Sequence, residues 1–150
     1  MAGEMIIIIG ETPGSPQAAR VLHRALLGGL LTISAVFLFI ALGLHDAPLM
    51  NAGNNTSIVG NVLAACGIMP IVLGLFVLKP RVPMRTSGQD EAAFWRTALY
   101  AVIPVWAVIE GAGIVGAVGA LLTGSLAPAL IVAIALGCLV VFSPGHFESA

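Results

Sequence analysis

Residues 97–122 read TALYAVIPVWAVIEGAGIVGAVGALL, and their ionisable side chains are Tyr100 near one end and Glu110 at the middle. At about 1.5 Å per residue this stretch reaches about 39 Å as a helix, which exceeds the bilayer hydrocarbon core of about 30 Å. Glu110 therefore falls near the midplane, where a carboxylate costs about 2.5 to 3.5 kcal/mol. We expect its side chain to face protein or to be protonated.

The composition is typical of a membrane protein. Of the 150 residues, 59% are apolar and 9% are charged, and the mean hydropathy is +1.06. Soluble domains carry about 25% charged residues. The apolar runs predict an all-α fold, an integral membrane bundle of four transmembrane helices that form two hairpins in the same orientation within the lipid bilayer. The formal net charge of −1 gives no electrostatic basis for a nucleic-acid partner.

The pattern of apolar runs and breaks predicts an N-terminal arm, a transmembrane domain and a short polar tail. The arm covers residues 1–20, the domain 21–142 and the tail 143–150, and the four helices are expected at about 21–44, 57–78, 97–122 and 126–142. The apolar run at residues 5–9 is too short for a signal peptide, so helix 1 is expected to act as the insertion signal. Phe94 and Trp95 are expected to anchor the start of helix 3 at the membrane interface.

The basic residues predict the orientation. All of them fall at the start of helix 1 or in the loop between helices 2 and 3, namely Arg20, Arg24, Lys79, Arg81, Arg85 and Arg96. The loops after helices 1 and 3 have no Lys or Arg. By the positive-inside rule, both termini and the middle loop are cytoplasmic, and we expect the protein in a bacterial cytoplasmic (inner) membrane.

Glu110 is the sharpest candidate for a functional residue. Trp106 lies one turn away on the same predicted face and is expected to shield the acid from lipid. Thr32 and Ser34 of helix 1 are expected at about the same depth, and either hydroxyl is a candidate hydrogen-bond partner. Glu110 then either forms a protonated contact to another helix or a neighbouring subunit, or it belongs to a proton or ion path.

Two rows of small residues predict close helix packing. Gly60, Gly67 and Gly74 recur every seven residues along helix 2. Ala112, Gly116 and Ala120 recur every four residues along helix 3. Such rows let a neighbouring backbone approach, either within the bundle or across a dimer face, so a homo-oligomer stays open.

The sequence contains no recognisable catalytic, metal-binding or cofactor motif. His23 and His45 stand at opposite ends of helix 1, where each is either a plain interface histidine or a ligand of a tetrapyrrole metal. Cys66 and Cys138 are expected to be buried free thiols. We therefore expect no enzyme activity, no bound metal and no cofactor.

Helices 2 and 3 together resemble a known hairpin. The stretch IVGNVLAACGIMPIVLG, the basic turn LKPR and then WAVIEGAGIVGAVGALL look like the hairpin of a rotary ATPase proteolipid, the c subunit. In that family the midmembrane carboxylate binds the transported proton or sodium ion, and the resemblance implies that Glu110 is the ion carrier. The chain also resembles small uncharacterised four-helix bacterial membrane proteins.

These observations favour a non-catalytic accessory or structural subunit of a larger membrane complex, such as a respiratory or photosynthetic one engaged in energy transduction. The partners expected are other membrane protein subunits. The alternatives are a proteolipid-like oligomer that translocates protons or ions through Glu110, and a small transporter.

Overall fold

The computed structural model describes residues 14–41, 49 and 55–148, and within these residues every regular element is helical. The helices are α1 (Pro16–Phe39), α2 (Thr56–Leu73), α3 (Glu91–Thr123), α4 (Leu126–Val141) and α5 (Pro144–Glu148). α2 continues through a π-helical turn, Gly74–Leu78, and a 3-10 turn, Lys79–Arg81. Most of the predicted arm, including the apolar run at residues 5–9, lies outside the described residues, and so does His45.

Three helices are long and apolar enough to cross a membrane, and they cover Pro16–Phe39, Thr56–Arg81 and Glu91–Thr123. α4 is apolar but shorter, with 16 residues. The chain is therefore an all-helical membrane protein in its described part, as the composition predicts.

Side-chain caps place two helix starts earlier than predicted. The Ser15 hydroxyl accepts a 3.0 Å hydrogen bond from the Ala18 amide, so α1 begins at Pro16 rather than near residue 21. The Asp90 carboxylate accepts a 2.8 Å bond from the Ala93 amide, and α3 runs without interruption from Glu91. Gly124, with φ of 61°, ends α3 in the left-handed conformation that glycine adopts at low cost.

α3 is the central helix and packs against α1, α2 and α4. Half of the residues in the most apolar 18-residue stretch of α3 are buried, compared with 17% in the corresponding stretches of α1 and of the second span. α1 runs parallel to α3, since Gly14 lies beside Arg96 and Leu30 beside Gly113. α2 and α4 run antiparallel to α3, because Gly60 lies beside Thr123 and Gly74 beside Ile109, while α4 starts at the C-terminal end of α3.

One end of the bundle forms a compact head, which consists of the start of α1, residues 82–98 and α5. α3 has 33 residues and is about 50 Å long, so a hydrocarbon core of about 30 Å cannot cover it all. Phe94 and Trp95, which we predicted as interface anchors, are instead 1% and 0% exposed, so that prediction is wrong. They are buried because the predicted polar tail folds back as α5 and adds Phe147, 0% exposed, to the same core.

Polar contacts close the head. Glu148 of α5 accepts a 2.9 Å hydrogen bond from the Trp95 indole. Arg20 of α1 pairs with Glu91 at 2.8 Å and with Glu148 at 3.3 Å. The Arg85 amide donates to the Phe147 carbonyl at 3.1 Å. The starts of α1 and α3 and the last described turn are thus tied together.

Candidate functional site in the membrane span

Glu110 lies in the middle of α3, half-buried against α1. One of its carboxyl oxygens, Oε1, is 3.5 Å from the point that a Cβ atom on Gly29 would occupy. A Cβ atom at position 29 would therefore be in ordinary van der Waals contact with the carboxyl group. Among the described residues Glu110 has no hydrogen-bond or ion-pair partner.

The structure does not bring either predicted hydroxyl to Glu110. The Thr32 hydroxyl is exposed and donates a 2.8 Å hydrogen bond to the Gly28 carbonyl of its own helix. Ser34 is 4% exposed, and its hydroxyl has no partner within the described part of the chain. Since Leu30 lies beside Gly113, the parallel register places Ser34 about one turn beyond that level, at Gly116 or Ala117. Ser34 is thus displaced along the bundle from Glu110.

Glu110 borders an exposed strip of α3. Tyr100 is 78% exposed, Ile103 is 36% exposed and Ala107 is exposed, and these residues precede Glu110 at helical spacing. A Cβ atom added at Gly111 would meet nothing within 4 Å. Ala107, Glu110 and Gly111 of α3, with Gly29 of α1, form what we call the Glu110 notch. A second helix or a lipid chain can approach the carboxyl group there.

The row of glycines on α2 points inward. Gly60, Gly67 and Gly74 are all buried. A Cβ atom on Gly60 would lie 2.9 Å from Ser125, one on Gly67 would lie 2.7 Å from Ile131, and one on Gly74 would lie 3.5 Å from Ile109. The row is therefore occupied by α3, α4 and the turn between them.

The small residues on α3 are also used inside the bundle. Ala112, Gly116 and Ala120 are buried. A Cβ atom on Gly116 would come within 2.7 Å of the Pro128 carbonyl, so α3 and α4 touch backbone to backbone. Both predicted rows pack against this chain's own helices, whereas the strip beside Glu110 is exposed.

Two aromatic side chains hold the C-terminal end of α4. The His23 Nε2 atom donates a 2.8 Å hydrogen bond to the Leu139 carbonyl, and the Trp106 indole donates a 2.7 Å bond to the Phe142 carbonyl. The two rings meet edge to face, with centroids 5.0 Å apart. The last carbonyls of a helix lack partners within the helix, so these bonds satisfy groups that lipid could not. The sequence does not predict this contact, because nothing in the residues of α4 shows where the end of that helix lies relative to α1.

This contact changes the interpretation of two predicted residues. His23 is 5% exposed and uses Nε2 for the carbonyl of α4, so its position gives no support to a tetrapyrrole ligand at that nitrogen. Trp106 is 0% exposed and faces α1 and α4, so it does not shield Glu110 from lipid. The Glu110 notch is consequently more open than the sequence suggests.

The notch offers hydrogen bonding, with one carboxyl group as its polar element. In the described part of the chain no group of three or more His, Cys, Asp and Glu side chains could hold a metal ion. Cys138 is half-buried, whereas Cys66, which we expected to be buried, is exposed on the outer side of α2. A protonated Glu110 can donate to a carbonyl or hydroxyl of a neighbour, and an ionised one can accept or bind a cation.

A scan against protein-family models and searches of curated proteins and solved structures found no match to this chain, so the proteolipid resemblance stays a prediction.

Proposed function

We propose that the protein is a non-catalytic subunit of a larger membrane assembly and that the Glu110 notch is where a neighbouring transmembrane helix is held. The observation that carries this proposal is the half-buried Glu110 carboxyl, which has no hydrogen-bond partner within the described residues. A lone acid in lipid is costly, and a hydrogen bond from a neighbouring helix would recover about 0.6 to 2 kcal/mol. The small residues Gly29, Ala107 and Gly111 leave space for that helix.

The proposal includes four membrane spans, with α4 as the fourth and shortest. At 16 residues α4 is about 24 Å long, somewhat less than the hydrocarbon core. The hydrogen bonds from His23 and Trp106 support its insertion, because they satisfy its terminal carbonyls before it reaches the headgroups. A short span of this kind is accommodated by local thinning of the bilayer.

The proposed orientation puts the head and both termini on the cytoplasmic side of a bacterial inner membrane. The six basic residues lie at the start of α1, at the end of the second span, in the loop that follows it and at the start of α3, which all belong to the same end of the bundle. This distribution supports a cytoplasmic head by the positive-inside rule.

Site-specific photocrosslinking tests the neighbour contact. A photoreactive amino acid at Ala107 should form an adduct with a different protein in native membranes, and the same group at Leu130, 53% exposed on α4, serves as the control. Glu110→Gln should retain the adduct because an amide still forms hydrogen bonds, whereas Glu110→Ala should reduce it severalfold. Adducts formed only between copies of this chain, or equal adducts at both positions, would contradict the proposal.

A second candidate function is proton or ion translocation by an oligomer of this chain. The observation that favours it is that Glu110 lies at the edge of an exposed strip, where a copy of the chain can meet it. Carbodiimide should then label Glu110, and Glu110→Gln should abolish proton flux in liposomes that contain the purified protein. Flux equal to that of protein-free liposomes would eliminate this function. A small transporter is a weaker alternative, because no second acid lies near Glu110 in the described spans and no basic side chain there forms an ion pair with it.

A further inference from the structure

The basic residues of the head end are mostly not neutralised. Arg20 forms the ion pairs with Glu91 and Glu148. Within the described residues the other basic side chains form no ion pair, namely Arg24, Lys79, Arg81, Arg85 and Arg96. Arg85 and Arg96 donate to the carbonyls of Gln89 and Ala92, and these neutral partners leave the positive charges in place.

Four of these cations lie in one narrow zone. Gly14 beside Arg96 and Leu30 beside Gly113 set the parallel register of α1 and α3, which places Arg24 near the level of Trp106. Gly74 beside Ile109 sets the antiparallel register of α2, which places Lys79 and Arg81 between Arg96 and Trp106. The four therefore fall within about 15 Å along the bundle axis. We call Arg24, Lys79, Arg81 and Arg96 the basic collar.

The collar coincides with the boundary expected for the hydrocarbon core. About 20 helical residues cross that core, so a span that ends at Thr123 begins near Ile103 of α3. α4 ends about one turn inside this level, since Trp106 bonds the Phe142 carbonyl. Lys79 Nζ lies 5.1 Å from the Phe142 ring centroid, above the end of α4.

Exposed apolar side chains continue from the collar into the span. On the α2 side these are Phe76, 75% exposed, and Val77, 41% exposed. On the α4 side they are Val140 and Val141, 59% and 58% exposed. The collar thus places cations at the membrane boundary, next to exposed apolar side chains. An anionic phospholipid matches both features, because it has a negatively charged headgroup and apolar acyl chains.

We infer that the basic collar binds the headgroup of an anionic phospholipid at the ends of α2 and α4, where Lys79 and Arg81 face the phosphate and the adjoining apolar side chains face the acyl chains. The inference rests on the proposed membrane-spanning arrangement and is independent of any partner subunit. A lipid of this type occupies the space beyond the end of the short α4 and places negative charge beside the unpaired cations. Each basic residue near a membrane surface contributes about fivefold to the affinity for anionic lipid.

Native mass spectrometry of the purified full chain in detergent tests this inference. Phosphatidylglycerol should bind more tightly than phosphatidylcholine with the same acyl chains, and Lys79→Gln with Arg81→Gln should weaken phosphatidylglycerol binding by about 25-fold. The matched control, Arg20→Gln with Arg85→Gln, removes the same charge from the head and should retain most of the preference. Unfolding temperatures measured in phosphatidylcholine confirm that both double variants are folded.

Three outcomes would overturn the inference. They are equal binding of the two lipids by the wild-type chain, equal losses in the two double variants, and displacement of the bound lipid by millimolar inorganic phosphate, which would indicate a site for free phosphate. None of them bears on the Ala107 crosslink to a neighbouring subunit, so failure here is distinguishable from failure of the proposed function.

Discussion

The indole nitrogen of Trp106 donates a 2.7 Å hydrogen bond to the backbone carbonyl of Phe142, the residue that ends α4. The same indole ring is 0% exposed and contacts His23, whose own nitrogen bonds the Leu139 carbonyl. One aromatic pair from α1 and α3 thus terminates a helix that is shorter than the bilayer. Without these donors the carbonyls of Leu139 and Phe142 would lose these hydrogen-bond partners.

Trp106→Phe should destabilise the protein, because it removes the indole N–H together with part of a fully buried ring system. The Phe142 carbonyl loses its donor, and we expect the free energy of unfolding to fall by about 0.6 to 2 kcal/mol. Reversible unfolding of the purified protein in mixed micelles with increasing SDS measures this change. Tyr100→Phe, at a side chain that is 78% exposed, is the control and should change little. Equal effects of the two substitutions would contradict the assigned hydrogen bond.

His23 and Trp106 should act as one unit. His23→Leu removes the donor to the Leu139 carbonyl and also the edge-to-face contact with Trp106. In a double-mutant cycle with Trp106→Phe, we expect a coupling energy of about 0.5 to 1.5 kcal/mol. The same SDS unfolding measurement supplies all four corners of the cycle. Strictly additive effects would show that the two side chains hold α4 independently.

Gly116→Ala and Gly111→Ala should differ sharply, although both glycines lie in α3. A methyl group on Gly116 would come within 2.7 Å of the Pro128 carbonyl, and backbone cannot move aside cheaply. We expect Gly116→Ala to lower the free energy of unfolding by about 1 to 3 kcal/mol. Gly111→Ala has nothing within 4 Å and should be neutral or should stabilise by up to about 1 kcal/mol. Comparable losses at both sites would refute the close contact of α3 with α4.

Removal of residues 144–150 should open the head and expose Trp95. The truncation deletes Phe147 from the core and removes the carboxylate that accepts the 2.9 Å bond from the Trp95 indole. In a Trp106→Phe background Trp95 is the only tryptophan, and its emission should shift to longer wavelength with increased quenching by acrylamide. Arg20 is itself 49% exposed, so Arg20→Gln, which breaks its ion pairs with Glu91 and Glu148, should cost only about 0.2 to 1 kcal/mol and leave the emission unchanged. Unchanged emission after truncation would show that α5 does not cover Trp95.

Cysteine labelling should place the head in the cytoplasm. Ser87 lies in the loop between the second span and α3, and Ser57 lies at the opposite end of the bundle, and both are exposed. In a background with Cys66→Ala and Cys138→Ala, a membrane-impermeant maleimide added to intact cells should label Ser57→Cys and not Ser87→Cys. Inside-out vesicles should give the reverse pattern. Labelling of Ser87→Cys in intact cells would invert the proposed orientation.

The predictions from the sequence agree with the structure for features that depend on one helix alone. The length and hydropathy of the apolar runs predicted helices that can cross a membrane, and α1, the α2 span and α3 have that length. The spacing of Gly60, Gly67 and Gly74 predicted one smooth side on α2, and the three residues are buried on the side that meets α3 and α4. Both features depend only on length, composition and helical period.

The predictions differ from the structure where a neighbouring helix decides which side of a helix is buried. Phe94 and Trp95 read as interface anchors and are buried instead, because α5 returns to cover them. Trp106 was assigned to the side of Glu110, yet it turns to the end of α4.

In a membrane helix most side chains are apolar on every face, so the hydrophobic periodicity distinguishes the buried face only weakly. Each apolar face can also contact lipid at similar free energy. The sequence by itself determined that this is an all-helical membrane protein with an acid inside its third apolar run and all its basic residues outside the apolar runs. Only the tertiary structure decided that α3 is the central helix, that the rows of small residues pack inside the bundle and that Glu110 lies beside an exposed strip. The reason is that close packing and backbone hydrogen bonds between helices select the inward face, and these contacts exist only once the helices have assembled.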